Sequence, residues 1–222
     1  MSDELSLKAG TKLVIATHNA GKLSEFKTLF APFKLELVSA GELGLDEPEE
    51  TGTSFAQNAS LKAHAAAQAS GLLALADDSG LCVAALGGRP GIHTARWAMR
   101  PTEDKKSSVR DFSFGMQRVE NELQATGATS PAQRGASFCA TLCLAHPNGD
   151  ERIFEGIVSG TLVWPPRGDL GFGFDPVFMP KGFDISFGQM SSEKKHSWAP
   201  GQPGLSHRAR AFALMVEDCC DY

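Results

Sequence analysis

The feature that most restricts the fold is an alternation in the first 80 residues, where short apolar runs suited to buried strands are separated by longer runs with helical spacing. Lys12–Ala16 (KLVIA) reads as a strand and ends in Thr-His-Asn-Ala-Gly. Lys22–Phe30 (KLSEFKTLF) then sets Leu23, Phe26, Leu29 and Phe30 on one helical face. Leu35–Ser39 reads as a second strand, and Gly41–Gly52 as an acidic loop containing Pro48. Thr53–Ser70 (TSFAQNASLKAHAAAQAS) is alanine-rich and predicts a helix stopped by Gly71. Leu72–Ala76 (LLALA) is a third strand that runs into Asp77-Asp78-Ser79-Gly80, a composition that predicts a turn.

Further on, Gly87–Gly91 predicts a tight loop and Thr102–Ala125 a long helix. Ala136–Ala145 and Arg152–Trp164 read as paired strands joined by Pro147-Asn148-Gly149-Asp150. Pro165–Gly173 reads as a loop, and Ser206 caps a last helix ending near Asp218. Strand–helix alternation followed by a hairpin predicts an α/β fold, a mixed sheet flanked by helices. The 222 residues, 42% hydrophobic and 21% charged, suit a single domain over 1–222 with room for two lobes around a central cleft. Residues 1–11 are expected to be a flexible N-terminus.

A formal charge of −5 argues against a nucleic-acid footprint, which needs a basic stripe. A small anion remains compatible, because a few lysines converging in a cleft can hold a triphosphate. Five cysteines, an odd number with no C-x-x-C pair, argue against an extracellular disulfide framework and for a reducing cytosol. No stretch approaches the roughly 18 apolar residues of a membrane span. The opening MSDELSLKAGTK lacks the apolar core of a secretory signal, so a cytoplasmic location is expected.

Thr17-His18-Asn19-Ala20-Gly21-Lys22 lies between a strand and a helix. A small-residue turn at a helix N-terminus offers backbone N–H groups and dipole potential to a phosphate, and Lys22 adds a full charge. An ordinary strand-to-helix turn explains the same residues equally well. Gly21-Lys22 matches the end of the P-loop pattern G-x-x-x-x-G-K-[ST], but Ala16 replaces its first glycine and Leu23 its Ser/Thr. With that hydroxyl missing, carboxylates must supply any Mg²⁺ site. Asp77 and Asp78, after a buried strand, suit a cation that wants oxygen ligands and keeps several waters, although a solvated turn is the commoner meaning of such residues. Glu49-Glu50 is a second acidic pair, before the alanine-rich helix. Lys62 interrupts a small, weakly polar helix face and is an exposed lysine unless that helix lines a cleft.

Gly171-Phe172-Gly173-Phe174-Asp175-Pro176 alternates glycines with aromatics, which lets backbone approach a ligand while a ring stacks on it for about 1–3 kcal/mol. A bulged strand with core phenylalanines is the alternative. Ser191-Ser192-Glu193-Lys194-Lys195 reads as surface. His207-Arg208 stands at a helix start, where the dipole disfavours cations, so compensation or an anion is needed. Cys139 and Cys143 share one face of a predicted strand and are expected in the core.

Taken together, IATHNAGKLSEF, EETGTSFAQNASLKA, ALADDSGLCVAALGGRPGIHTAR, GFGFDPVF and LSHRARA resemble, in order, the segments of the inosine triphosphate pyrophosphatase family, the XTP/dITP diphosphatases. The resemblance implies an Mg²⁺-dependent homodimer that hydrolyses non-canonical purine nucleoside triphosphates (ITP, dITP, XTP) to monophosphate and pyrophosphate, with two lobes around the site. It implies Thr17, His18, Asn19, Ala20, Gly21 and Lys22 as the triphosphate loop and Asp78 as general base and metal ligand, with Asp77 and Glu49 or Glu50 helping to hold the metal. Ser79 and Lys62 would contact substrate, and Phe172, Gly173, Phe174 and Asp175 would flank the base, with Phe174 stacking. Lys194, His207 and Arg208 would complete the pocket. The chain has Phe174 where many relatives have tyrosine, and its connection 196–205 (HSWAPGQPGL) is longer than usual, which leaves Lys195 as an alternative to Lys194. A pyrophosphatase for pyrimidine or modified nucleotides and a non-catalytic nucleotide-binding protein are the rival readings.

Overall fold

The computed structural model describes residues 3–102, 107–199 and 201–220. Its strands are β1 (Lys12–Ile15), β2 (Glu36–Ser39), β3 (Leu73–Val83), β4 (Met99–Pro101), β5 (Ser108–Arg110), β6 (Gly135–Ala145), β7 (Glu151–Leu162) and β8 (Phe178–Pro180). Its helices are α1 (Ala20–Phe30), α2 (Phe55–Ser70), α3 (Thr94–Trp97), α4 (Phe112–Ala125), α5 (Ser192–His196) and α6 (His207–Cys219). Six strands form one mixed sheet in the order β2-β1-β3-β6-β7-β8, in which β1 is parallel to β2 and β3 while β7 and β8 are antiparallel. Among the described residues no helix is long and apolar enough to cross a membrane.

The chain divides into two compact units. The first comprises the residues up to Asp78, Ala140–Gly156 and the residues from His196 on. Here the sheet separates two apolar layers by simple alternation, because successive strand side chains point to opposite faces. Leu13 and Ile15 of β1, Leu75 of β3, and Leu142 and Leu144 of β6 face α1 and α6, where they pack on Phe26, Phe30, Phe212 and Met215. Val14, Ala74, Ala76, Cys143 and Ala145 face α2, which meets them with Ala59, Ala63, Ala66 and Ala67. Side chains this small let α2 lie close to the sheet. Ser54 starts α2 by accepting from the Gln57 N–H, and Gly71 stops it in the left-handed region at φ 69°. α6 lies directly on β7: a Cβ added at Gly156 would stand 2.1 Å from the His207 carbonyl oxygen and 2.4 Å from the Ala211 nitrogen. The Ser206 hydroxyl caps α6 by accepting from the Ala209 N–H.

The second unit comprises Ser79–Cys139 and Ile157–Lys195. Phe138, Phe178 and Phe187 form its aromatic centre, with ring centroids 4.5 and 5.2 Å apart at Phe178. Buried Arg134 donates to the Leu162 carbonyl and forms an ion pair with Glu120 of α4.

Three expectations change. Asp77-Asp78-Ser79-Gly80 is not a turn, because β3 continues through all four residues to Val83. The N-terminal stretch joins the core: Leu5 and Leu7 are buried, and the Leu7 N–H donates to the Cys219 carbonyl at 2.7 Å, while residues 1 and 2 lie outside the described residues. The helix expected from Thr102 begins at Phe112, where Asp111 accepts from the Phe114 N–H, and β4 and β5 pair as an antiparallel ribbon before it. Residues 103–106 of that expected helix lie outside the described residues.

Candidate active site

A group of charged side chains gathers within the first unit where β3 carries Asp77 and Asp78. Continuing the alternation of Leu75 and Ala76, Asp77 falls on the α1/α6 face and Asp78 on the α2 face. Two adjacent acids therefore have two separate sets of partners.

On the α1/α6 face, the Lys22 ammonium lies 2.5 Å from Asp77 Oδ1, and Arg208 donates through Nε and Nη2 at 3.1 Å each. Arg208, 1% exposed, also pairs with Glu25 of α1. His196 Nε2 lies 3.3 Å from the other Glu25 oxygen, and its Nδ1 lies 2.9 Å from the Ser206 hydroxyl. Burial opposes charge on Asp77, but Arg208 and Lys22 outweigh it and hold the carboxyl well below the usual range. Glu25 responds in the same way, its burial penalty overcome by Arg208 and His196, and falls to about 2. Burial lowers the Lys22 ammonium, with Lys62 and Arg208 adding repulsion against the pull of Asp77. Burial, reinforced by Arg208, lowers His207 to about 3, so it is a neutral imidazole at the start of α6. Arg208 is compensated by two carboxylates, which resolves the unfavourable placement of cations at a helix start.

On the α2 face, the Lys62 ammonium donates to Asp78 Oδ1 at 2.9 Å and to Glu50 Oε1 at 2.7 Å. Asn58, one helical turn earlier, donates to Asp78 Oδ2 at 3.2 Å. Burial raises the Asp78 carboxyl, with Glu50 adding to it against the attraction of Lys62 and Lys22. Lys62 is raised because Asp78 and Glu50 overcome its burial. Beside Lys62 and His18, a cavity of about 410 Å³ opens between Ala65, Ala66 and Ala69 and the loop 44–48. That volume lies within the range of small-molecule pockets.

The loop before α1 is organised differently from expectation. Asn19 Oδ1 already accepts from the N–H groups of Gly21 and Lys22, and Thr17 Oγ1 accepts from the Asn19 N–H. Ala20 opens α1, and His18 Nε2 donates to the Leu45 carbonyl at 3.0 Å.

The metal reading also changes. Glu49 is exposed, and Glu50 is the acid brought to Lys62. Asp77 has Lys22 and Arg208 on its carboxylate and points away from the Asp78 face, which replaces the expectation that it shares a cation with its neighbour. Among the described residues no three His, Cys, Asp or Glu side chains gather as a metal cage. What remains is an oxygen pair, Asp78 and Glu50, converging on a single ammonium. Mg²⁺ commonly binds through one or two carboxylates plus substrate phosphates, so these donors fit an ion that arrives with a polyphosphate.

The other expected site residues belong to the second unit. Ser79 follows Asp78 on β3 and is half-buried. Lys195 donates to Asp175 Oδ2 at 2.8 Å and is buried, whereas Lys194 reaches over the Phe183 ring, so of the two lysines left open it is Lys195 that stands against Asp175. Gly171, at φ +86°, is needed here, because an added Cβ would stand 2.1 Å from the Asp175 carboxylate and 2.3 Å from the Lys195 ammonium. Phe174 is 2% exposed, packed edge-on to Phe112 and against Gly115, which corrects the expectation that it offers a stacking face; Phe172 is half-exposed, and Gly173 adopts φ +70°.

Asn58, Glu25 and His196 escaped the sequence reading. The first two had a signal: Asn58 is four residues before Lys62, and Glu25 three after Lys22, spacings that share a helix face. His196 had none.

A model of the Ham1 family matches residues 13–218. The chain belongs to the Ham1 family. It is 58% identical over 209 residues to the dITP/XTP pyrophosphatase of Mesorhizobium japonicum, covering 94% of this chain and 93% of that protein. It is 57% identical over 207 residues to the dITP/XTP pyrophosphatase of Brucella melitensis, covering 93% and 92%. Among solved structures, a HAM1 protein from Coxiella burnetii has a TM-score of 0.78 at 30% identity, covering 93% of this chain and 97% of that one. The Ham1 protein of Staphylococcus aureus has a TM-score of 0.74 at 34% identity with the same coverage.

The charge arrangement predicts that this Ham1 chain loses stability in acid. Below the ordinary value of 6.5, His207 takes up a proton in the unfolded chain but not in the folded one until about 3. Below the ordinary carboxylate values of 4.5 and 3.8, Glu25 and Asp77 do the same. Each depressed group stabilises the fold above its unfolded value and loses that contribution as pH falls through its folded value. Asp78, raised, works in the opposite sense. The urea midpoint is therefore expected to fall continuously from pH 7 to pH 3, by on the order of several kcal/mol in stability, most steeply below 4.5. A midpoint constant over that range refutes the assignment.

Proposed function

We propose that this Ham1 chain hydrolyses non-canonical purine nucleoside triphosphates, of the dITP and XTP type, to the monophosphate and pyrophosphate. The observation that carries the reading is the Asp78 carboxylate, raised by burial, oriented by Lys62 and Asn58 and set beside the Lys22–Asp77–Arg208 cluster. The names of the relatives, dITP/XTP pyrophosphatases at 51–58% identity, support it.

In this reading the polyphosphate is held by the Lys22 and Lys62 ammonium groups, which exchange part of their contact with Asp77, Asp78 and Glu50 for phosphate oxygens. Thr17, His18, Asn19, Ala20 and Gly21 form the loop that flanks it. Asp78 accepts the proton of the attacking water, and a positioned base of this kind contributes about 10²–10⁴ in rate. Asn58 and Lys62 fix the carboxylate so that its free lone pairs are aimed rather than mobile. A Mg²⁺ ion held by Asp78 and Glu50 with the substrate would polarise phosphate oxygens and neutralise charge. Ser79, Phe172, Gly173, Asp175, Lys195, His207 and Arg208 make up the remaining substrate contacts, and the reading includes a cytoplasmic homodimer.

Discrimination against ATP follows if the pocket donates to a 6-keto oxygen, because adenine presents an amine there and a buried donor left unpaired can discriminate by about 10⁴ or more. The test is a panel of ITP, dITP, XTP, ATP, GTP and pyrimidine triphosphates with Mg²⁺, scored for pyrophosphate and for phosphate. Pyrophosphate from ITP, dITP and XTP at kcat/KM far above ATP is expected. Comparable values for ATP overturn the selectivity, and binding without pyrophosphate overturns the enzyme.

A further inference from the structure

Cys82 and Cys139 stand on β3 and β6, neighbouring strands of the sheet, within the second unit. Their sulfurs are 3.8 Å apart, and each side chain is half-buried, open to a small solute. A disulfide needs its sulfurs roughly 2.05 Å apart, less than about 2 Å closer than these two stand. Side-chain torsion can therefore close the remaining gap. The sulfur pair plays no part in the hydrolysis proposed above.

The other thiols are placed differently. Burial and Glu151 push Cys143 far above the ordinary thiol value, and burial with Asp218 raises Cys219 to about 11. Cys82 moves the other way, because the Cys139 S–H donates to it and outweighs its burial. A thiolate, not a thiol, is the nucleophile, and the Cys139 S–H donates to the Cys82 sulfur, so Cys82 is the sulfur of the pair placed to attack first.

We propose that Cys82 and Cys139 are a peroxide-oxidisable dithiol, a reversible modification site in which Cys82 is the attacking sulfur and Cys139 the resolving one. The Cys82 thiolate attacks the O–O bond of a hydroperoxide and is oxidised to the sulfenic acid, releasing one water from hydrogen peroxide or one alcohol from an alkyl peroxide. The Cys139 sulfur then displaces the sulfenic oxygen, which leaves as water with the proton Cys139 gives up. Two thiols and one hydrogen peroxide become one disulfide and two waters, and an external dithiol reverses the linkage by exchange.

The test exposes the full chain to a small molar excess of hydrogen peroxide, then quantifies thiols after denaturation, intact mass and a non-reduced peptide map. Two of the five thiols should be lost, with a mass decrease of about 2 Da. The map should join the peptide of Cys82 to that of Cys139, and dithiothreitol should restore both. C82S and C139S should each abolish the link and C143S leave it intact. Closing the chain between these positions should raise the thermal midpoint by a few degrees. Cys82 and Cys139 staying reduced while other cysteines oxidise, Cys82 reaching the sulfinic acid unlinked, or a disulfide between any other pair overturns the proposal. The wild-type peptide map decides the point even if a serine variant folds poorly.

Discussion

Asp78→Asn is expected to lower kcat for pyrophosphate release about 10²–10⁴-fold while leaving the fold intact. The amide cannot accept the proton of the attacking water. The fold survives because Lys62 keeps its ion pair with Glu50 at 2.7 Å, and because neutralising a carboxyl already raised by burial removes an unfavourable buried charge. Steady-state kinetics on ITP, with circular dichroism and a thermal melt alongside, check it. Near-normal turnover in a folded variant removes Asp78 from the chemistry, and an unfolded variant assigns it a structural role instead.

Arg208→Met is expected to destabilise the chain by about 3–5 kcal/mol, the cost of leaving buried charges without their partner. Asp77 would keep only Lys22 among the partners described above, and Glu25 only His196. A straight apolar side chain fills most of the volume, so cavity formation contributes little. Adding Glu25→Gln to the variant should recover part of the loss, because one stranded charge is then gone. Urea denaturation of the single and double variants checks this. A single variant within about 1 kcal/mol of the parent would mean that the cluster is already well solvated, since exposed ion pairs are worth only about that much.

Much of this was legible in the residues. Gly71 marks the end of α2, Ser206 the start of α6, and 147–150 the turn between β6 and β7, because those residue types solve local backbone problems. Asp-Asp-Ser-Gly misled for the complementary reason: its turn composition is a local preference, and in β3 ladder bonding and buried partners outweigh it. Thr102 was a poor helix start because the capping oxygen belongs to Asp111. Lys194 and Lys195 are indistinguishable by type, and only the tertiary structure sets Lys195, not Lys194, against Asp175. Phe174 is buried because Gly115 leaves room for its ring.

The alternation of apolar strands and helical runs by itself determined an α/β sheet with helices on both faces, since period and polarity are properties of a segment alone. The sequence also carries the acidic and basic residues that gather beside β3. Tertiary structure alone decided how those residues divide. The pleat sends Asp77 toward Lys22 and Arg208 and Asp78 toward Lys62 and Asn58, and partners up to 131 residues apart in the chain fix which carboxylate is neutralised and which is raised. Charge stabilisation depends on distance and burial in space, and neither is written in the order of the residues.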